Sequence, residues 1–148
     1  VYVYDPYKKV RDISVNQVKN LNELFKKCDV VSIHAHVTNE TSKMINSNVL
    51  KNTKSDLILI NTARGEIVNE KDIVKFLKNN ADAKYITDVL TNETEKKNNI
   101  INKYYNTKKG SSQIIITPHI GGMTKEAQEI AYNRSVQLLY NEFNKLKL

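Results

Sequence analysis

The chain has 148 residues, a mass of 17.0 kDa, 40% hydrophobic residues and a mean hydropathy of −0.52. That is room for about one domain with an ordinary core, and no apolar run approaches the roughly 20 residues of a membrane helix. The formal charge of +7 comes from 23 basic against 16 acidic residues, but the lysines are dispersed among asparagines, a pattern of solvated surface and not of a clustered nucleic-acid face.

Cys28 is the single cysteine, which excludes an internal disulfide framework and fits a reducing compartment, so a cytoplasmic location is expected. The three histidines and the cysteine are scattered without zinc-ligand spacing, so no metal site is expected. The sequence opens on Val1-Tyr2-Val3-Tyr4 with no basic or hydrophobic leader.

In chain order, Val1 to Tyr4 reads as a strand that stops at Asp5-Pro6. Asn20 is placed to cap a short helix presenting Leu21, Leu24 and Phe25, and Val30-Val31-Ser32-Ile33 follows as a strand. Ser47 is expected to cap a turn or two of helix with Val49 and Leu50 inward. Leu57-Ile58-Leu59-Ile60 is apolar at every position, as in a parallel strand buried on both faces.

Asn69 then caps a helix with Glu70 and Asp72 in its first turn, where carboxylates favour the dipole, and with Ile73, Val74, Phe76 and Leu77 as its apolar stripe. Tyr85-Ile86-Thr87 is the next strand, and residues 91 to 112 read as an irregular polar loop. Ile114-Ile115-Ile116 is the last strand. From Thr124 a helix runs nearly to the C-terminus with Ala127, Ile130, Ala131, Leu138, Leu139 and Phe143 expected inward. Strands alternating with helices predict an α/β fold, a doubly wound parallel sheet, with no second domain visible in residues 1–148.

In such sheets ligands bind beyond the carboxyl ends of the strands. There the sequence places Asp5, then His34, then Asn61-Thr62-Ala63-Arg64-Gly65, then Asp88, and finally His119-Ile120-Gly121-Gly122. Polar and ionisable groups thus recur at the one edge where a pocket should form.

These residues resemble a known family. Val31-Ser32-Ile33-His34 with Thr38 and Thr41, Asn61 to Gly65, Asp88-Val89 with Glu93, and Thr117-Pro118-His119-Ile120-Gly121-Gly122 are similar, in that order, to the NAD-dependent D-isomer 2-hydroxyacid dehydrogenases. The D-3-phosphoglycerate dehydrogenase branch is the most similar, mainly through His119 to Ala127.

The resemblance implies a Rossmann-like NAD-binding domain and three catalytic residues: Arg64 as substrate anchor, His119 as acid/base and Glu93 as its partner. The chemistry is consistent with those types. A guanidinium fork grips a substrate carboxylate, a histidine donates a proton to the developing alkoxide, and a neighbouring carboxylate favours the protonated ring. NAD is the implied cofactor and a 2-hydroxy or 2-keto acid the implied substrate. Asp5 would accept from the adenosine ribose hydroxyls and disfavour a 2′-phosphate. Thr62, Ala63 and Asp88 would line the nicotinamide side, with His34 beside the cofactor and Gly121 and Gly122 letting backbone approach it. Partners implied are a homodimer or homotetramer of the complete protein, with no nucleic acid and no membrane.

Taken alone, Arg64 reads as a surface or capping residue and Glu93 as part of a solvated loop. His119 reads as a turn histidine and His34 as a satisfied strand-end residue.

Departures from the family are equally legible. The glycines are Gly65, Gly110, Gly121 and Gly122, so no Gly-x-Gly-x-x-Gly loop is present. In the family that loop follows a first, central strand lying just upstream of the segment where this sequence begins. The substrate domain is expected to be absent as well. Thr94 and His36 stand where the family usually has proline, and Asn69 where it has aspartate.

Without the central strand two flanking strands would lose their partner, at about 1–3 kcal/mol per buried unmade bond against a typical domain stability of about 5–15 kcal/mol. The 148-residue chain is therefore expected to be poorly stable and inactive by itself, and the natural polypeptide longer. A co-repressor-like NAD(H)-sensing module and an inactive dehydrogenase remnant are the alternative readings.

Overall fold

The computed structural model describes residues 1–146, apart from the side chains of residues 95–97 and 146. The chain divides into two compact units, Val1–Thr117 and a second beginning at Pro118.

In the first unit, β1 (Tyr2–Val3) pairs in parallel with β2 (Asn16–Gln17). Asp5 ends β1 by turning the backbone: its Oδ1 accepts the N–H groups of Tyr7 and Lys8 at 2.8 and 2.9 Å. β2 carries no apolar alternation. It exists through β1, whose Val1 and Val3 carbonyls accept from Asn16 and Val18, each at 2.9 Å. The next elements are α1 (Leu21–Lys27), β3 (Val30–Ile33), α2 (Ser47–Leu50) and β4 (Ile58–Asn61). They are followed by α3 (Glu70–Asn79), β5 (Lys84–Thr87), α4 (Ile100–Tyr105), α5 (Lys108–Gln113) and β6 (Ile114–Ile116).

β3, β4, β5 and β6 form a second parallel sheet in that spatial order. The expected α/β parallel architecture is therefore present, in two pieces. β1–β2 and β3–β6 are separate ladders, and a cleft of about 250 Å³ separates β1 from β3. Tyr2 and Val3 line one side of the cleft, Val31 and Ile33 the other, with Phe25 between them. The flanking strands thus lack a common partner among the described residues, as the sequence implies.

Register decides which side chains the core takes. Val31, Leu59, Tyr85 and Ile114 pair across the sheet and are all buried. In the alternate row Val30, Ser32 and Ile115 are exposed, while Ile58, Ile60 and Ile86 are half-buried. β4 is thus buried fully on one face, not on both as its sequence suggested. The reason is topological. The four strands advance in one direction, so right-handed crossovers send α2, α3 and α4–α5 to the same face, where α1 to α5 pack each on the next.

Helix caps explain the local starts. Asn20 accepts from Glu23 N–H at 2.9 Å and Asn69 from Asp72 N–H at 3.4 Å, as the sequence predicts. The α2 cap is Asn46, not Ser47: Asn46 Oδ1 accepts from Asn48 N–H at 3.0 Å, while Ser47 N–H donates to Asp72 Oδ2 at 2.9 Å. An amide side chain one residue earlier already supplied the acceptor.

Residues 91 to 112 are not an irregular loop. A 3-10 turn over Glu93–Asn98 leads into α4 and α5, capped by Asn99 and Thr107. The apolar signal of α4 is Ile100, Ile101, Tyr104 and Tyr105, too short to register as a period, yet Ile101 and Tyr104 are buried. Gln113 then ties α5 down, its Nε2 lying within 2.8–3.3 Å of the carbonyls of Leu77, Asn80, Ala81 and Ala83.

The second unit carries α6 (Lys125–Leu146). Its apolar residues are exposed, Ile130 by 70% and Leu139 by 73%, with Leu138 and Phe143 also open and Ala131 exposed. Among the described residues of the second unit no other element covers the face expected inward, of which Ala127 alone is half-buried. A single helix cannot bury its own apolar side chains, and this short unit supplies no second layer.

Candidate active site

β4 ends on Asn61, which is wholly buried and shapes the turn after it. Its Oδ1 accepts from Ala63 N–H at 3.1 Å, and its Nδ2 donates to the Arg64 carbonyl at 3.0 Å. Its own carbonyl receives the Asp88 N–H at 3.1 Å from the end of β5. One amide side chain thus sets the path of Thr62, Ala63 and Arg64 and joins it to the neighbouring strand.

Arg64 is exposed and donates from Nη1 to the Ala63 carbonyl at 2.6 Å. With Thr62, Ala63, His34 and His36 it lines a cleft of about 700 Å³ beyond the carboxyl ends of β3 and β4. His34 Nε2 lies 2.9 Å from Ser32 Oγ, a satisfied strand-end histidine that also faces both clefts.

Gly65 brings the next piece in. A Cβ there would stand 2.1 Å from Leu90 C and 2.2 Å from Thr91 N, closer than any side chain tolerates. Only glycine lets the segment after Arg64 touch the segment that carries Glu93. Glu93 Oε1 accepts from Leu90 N–H at 3.1 Å. Asp88, half-buried, receives the Thr117 hydroxyl on Oδ1 from the end of β6.

Asp5 stands at the far side, on the wall of the cleft beside β1. The N–H groups of Tyr7 and Lys8 hold its carboxyl below the usual carboxylate range. The tyrosine that follows is tied to the loop after β3, since Tyr7 donates its hydroxyl to Glu40, and that carboxylate raises the phenol above its ordinary value.

The first unit therefore gathers Asp5, His34, Thr62, Ala63, Arg64, Asp88 and Glu93 on the carboxyl ends of its strands. His119, Gly121 and Gly122 belong to the second unit. His119 adopts a left-handed backbone, φ 57°, and the turn from Ile120 to Met123 closes with a 2.9 Å bond before Thr124 caps α6. At Gly122 a Cβ would meet no atom within 4 Å.

Sequence reasoning gave no role to Thr87, read only as the end of a strand, and named Asn61 only as the first residue of the Asn61–Gly65 segment. A polar residue closing an apolar strand was the available signal.

The fold and sequence match those of known proteins. The family model for the D-isomer specific 2-hydroxyacid dehydrogenase NAD-binding domain matches residues 1–121. A D-3-phosphoglycerate dehydrogenase of Haemophilus influenzae is 35% identical over 129 residues, 87% of this chain and 31% of that one. A D-lactate dehydrogenase of Aquifex aeolicus, solved with NAD and lactic acid, superposes with a TM-score of 0.72 at 28% identity, over 97% of this chain and 46% of that one. A glycerate dehydrogenase related protein of Thermoplasma acidophilum gives 0.74 at 30% identity, over 96% and 47%. The chain spans less than half the length of each of these relatives. It belongs to the D-isomer specific 2-hydroxyacid dehydrogenase family and carries the NAD-binding domain of that family.

Proposed function

We propose that the whole protein carrying this chain is an oxidoreductase that interconverts a D-2-hydroxy acid and its 2-keto acid with NAD(H). The observation that supports it best is the join at Gly65. It puts the exit of β4, with Arg64, in backbone contact with the loop that carries Glu93.

The residues present fit the cofactor in part. An ionised Asp5 at the end of β1 suits the adenosine ribose hydroxyls and repels a 2′-phosphate. Thr62, Ala63 and Asp88 would hold the nicotinamide end, with His34 on the wall between. No glycine-rich phosphate loop occurs in the sequence, so these residues do not complete the pyrophosphate site. Bound NADH would supply the hydride.

Arg64 would grip the substrate carboxylate with its planar fork. His119 would protonate the developing alkoxide, and Glu93 would keep that ring protonated and oriented. Gly121 and Gly122 would allow close backbone approach to the cofactor. The substrate reading extends to 3-phosphoglycerate, on the similarity to D-3-phosphoglycerate dehydrogenases. A homodimer or homotetramer in the cytoplasm completes the proposal; among the described residues no helix is long and apolar enough to cross a membrane.

The test is NADH oxidation by the whole protein with pyruvate, glyoxylate, hydroxypyruvate and 3-phosphohydroxypyruvate. Turnover with at least one is expected, and His119→Ala should lower kcat by about 10²–10⁴-fold with NADH affinity unchanged. NADH binding with no turnover on any of them would overturn the enzyme reading in favour of a sensing module.

A further inference from the structure

The loop between Asp88 and Glu93 is held from a second direction, by a residue with no assigned role. Glu70, the first residue of α3, uses both carboxylate oxygens: Oε1 accepts from Thr91 N–H at 2.8 Å and Oε2 from Asn99 Nδ2 at 2.7 Å. The same Asn99 Nδ2 lies 3.0 Å from the Thr91 carbonyl, so the pair holds both backbone polar groups of Thr91. Asn99 is buried, and its Oδ1 starts α4 by accepting from Ile101 and Asn102 N–H at 2.8 and 3.2 Å.

Two residues beyond Thr91 comes Glu93, after Asn92 in a left-handed conformation at φ 53°. Glu93 turns back onto Leu90 N–H. The direction of its carboxylate is therefore referred to the Leu90 N–H, in the peptide unit immediately before the Leu90–Thr91 unit whose N–H Glu70 holds. Bonds from N–H groups to an ionised carboxylate are roughly twice as strong as neutral ones. Glu70 lines a separate cavity of about 230 Å³ with Thr91, Asn92 and Asn99, on which Arg64 has no face. It does not reach the reacting atoms.

We infer that Glu70, clamped to Asn99, is a positioning residue for Glu93. The inference rests on the role proposed for Glu93. An acid in the first turn of α3 also favours the helix dipole, but that contribution would leave the protonation of the acid/base histidine untouched.

Two variants of the whole protein test it. Glu70→Gln removes the charge and turns an amide toward the Asn99 amide. Asn99→Asp keeps the α4 cap, since aspartate also caps, while it removes the donor to Glu70. In each, hydrogen exchange across residues 89–92 should quicken about tenfold or more while the α3 amides stay protected. The alkaline limb of the kcat profile for keto-acid reduction should move down by about half a pH unit or more with the NADH KM unchanged, because a displaced Glu93 no longer favours the imidazolium. Unchanged exchange would overturn the clamp. Faster exchange with an unshifted profile, or a uniform fall in kcat, would overturn the positioning role. If the unmodified protein reduces no keto acid, the dehydrogenase reading fails and the positioning role falls with it, while exchange still decides the clamp.

Discussion

The Thr87 hydroxyl oxygen lies 3.1 Å from the Asn61 carbonyl oxygen and 2.6 Å from the Val89 carbonyl oxygen, so the last residue of β5 stitches the end of β4 to the loop that leads to Glu93. The two side chains are both buried and occupy paired positions in the sheet. Their placement joins the loop that carries Arg64 to the loop that carries Glu93.

Asn61→Ala should therefore be costly. It would leave the Ala63 N–H and the Arg64 carbonyl without their partner and open a gap beside the Tyr85 hydroxyl, 3.4 Å from Asn61 Nδ2. A loss of roughly 2–4 kcal/mol is expected from the urea midpoint of the whole protein. A change below about 0.5 kcal/mol would show that water replaces these bonds.

Gly65→Ala tests the join between the two loops. The added methyl would collide with the Leu90–Thr91 backbone, which cannot yield as a side chain tip does. Destabilisation of about 1–3 kcal/mol is expected, with a larger fall in kcat than in NADH affinity. Wild-type melting and turnover would mean the segments slide apart at little cost.

Asp5→Asn should weaken NADH binding about tenfold and narrow the preference over NADPH, read by titration of nicotinamide fluorescence. The carboxyl also carries a pH signature. Its folded pKa lies below the ordinary 3.8, so its stabilisation of the turn is present above that value and is lost as pH falls through the lower, folded one. Acid-induced opening near Tyr7 and Lys8 should vanish in the variant.

The divided sheet sets a hierarchy of local stability. The Asn16 and Val18 amides, which donate to the Val1 and Val3 carbonyls, should exchange well before those of β4 and β5, which are paired on both sides. Equal protection of the two ladders in the 148-residue chain would contradict the split.

Much of this protein is legible from local chemistry. Asn20 and Asn69 announced two helices because a side-chain oxygen meets an orphan N–H within three residues, and apolar runs marked β3, β4, β5 and β6. The candidate site was legible as residue types following strands. The sequence alone determined which groups reach the rim, since a strand end delivers whatever residue comes next.

Tertiary structure alone decided how those groups are held. The bonds of Thr87 to Asn61, of Glu70 to Thr91 and of Glu70 to Asn99 join segments that are distant in sequence, and no local period encodes them. The one-sided burial of β4 and the exposure of α6 have the same cause. Periodicity reports that a face is apolar, but what covers it depends on crossover direction and on how much chain is available to form a second layer.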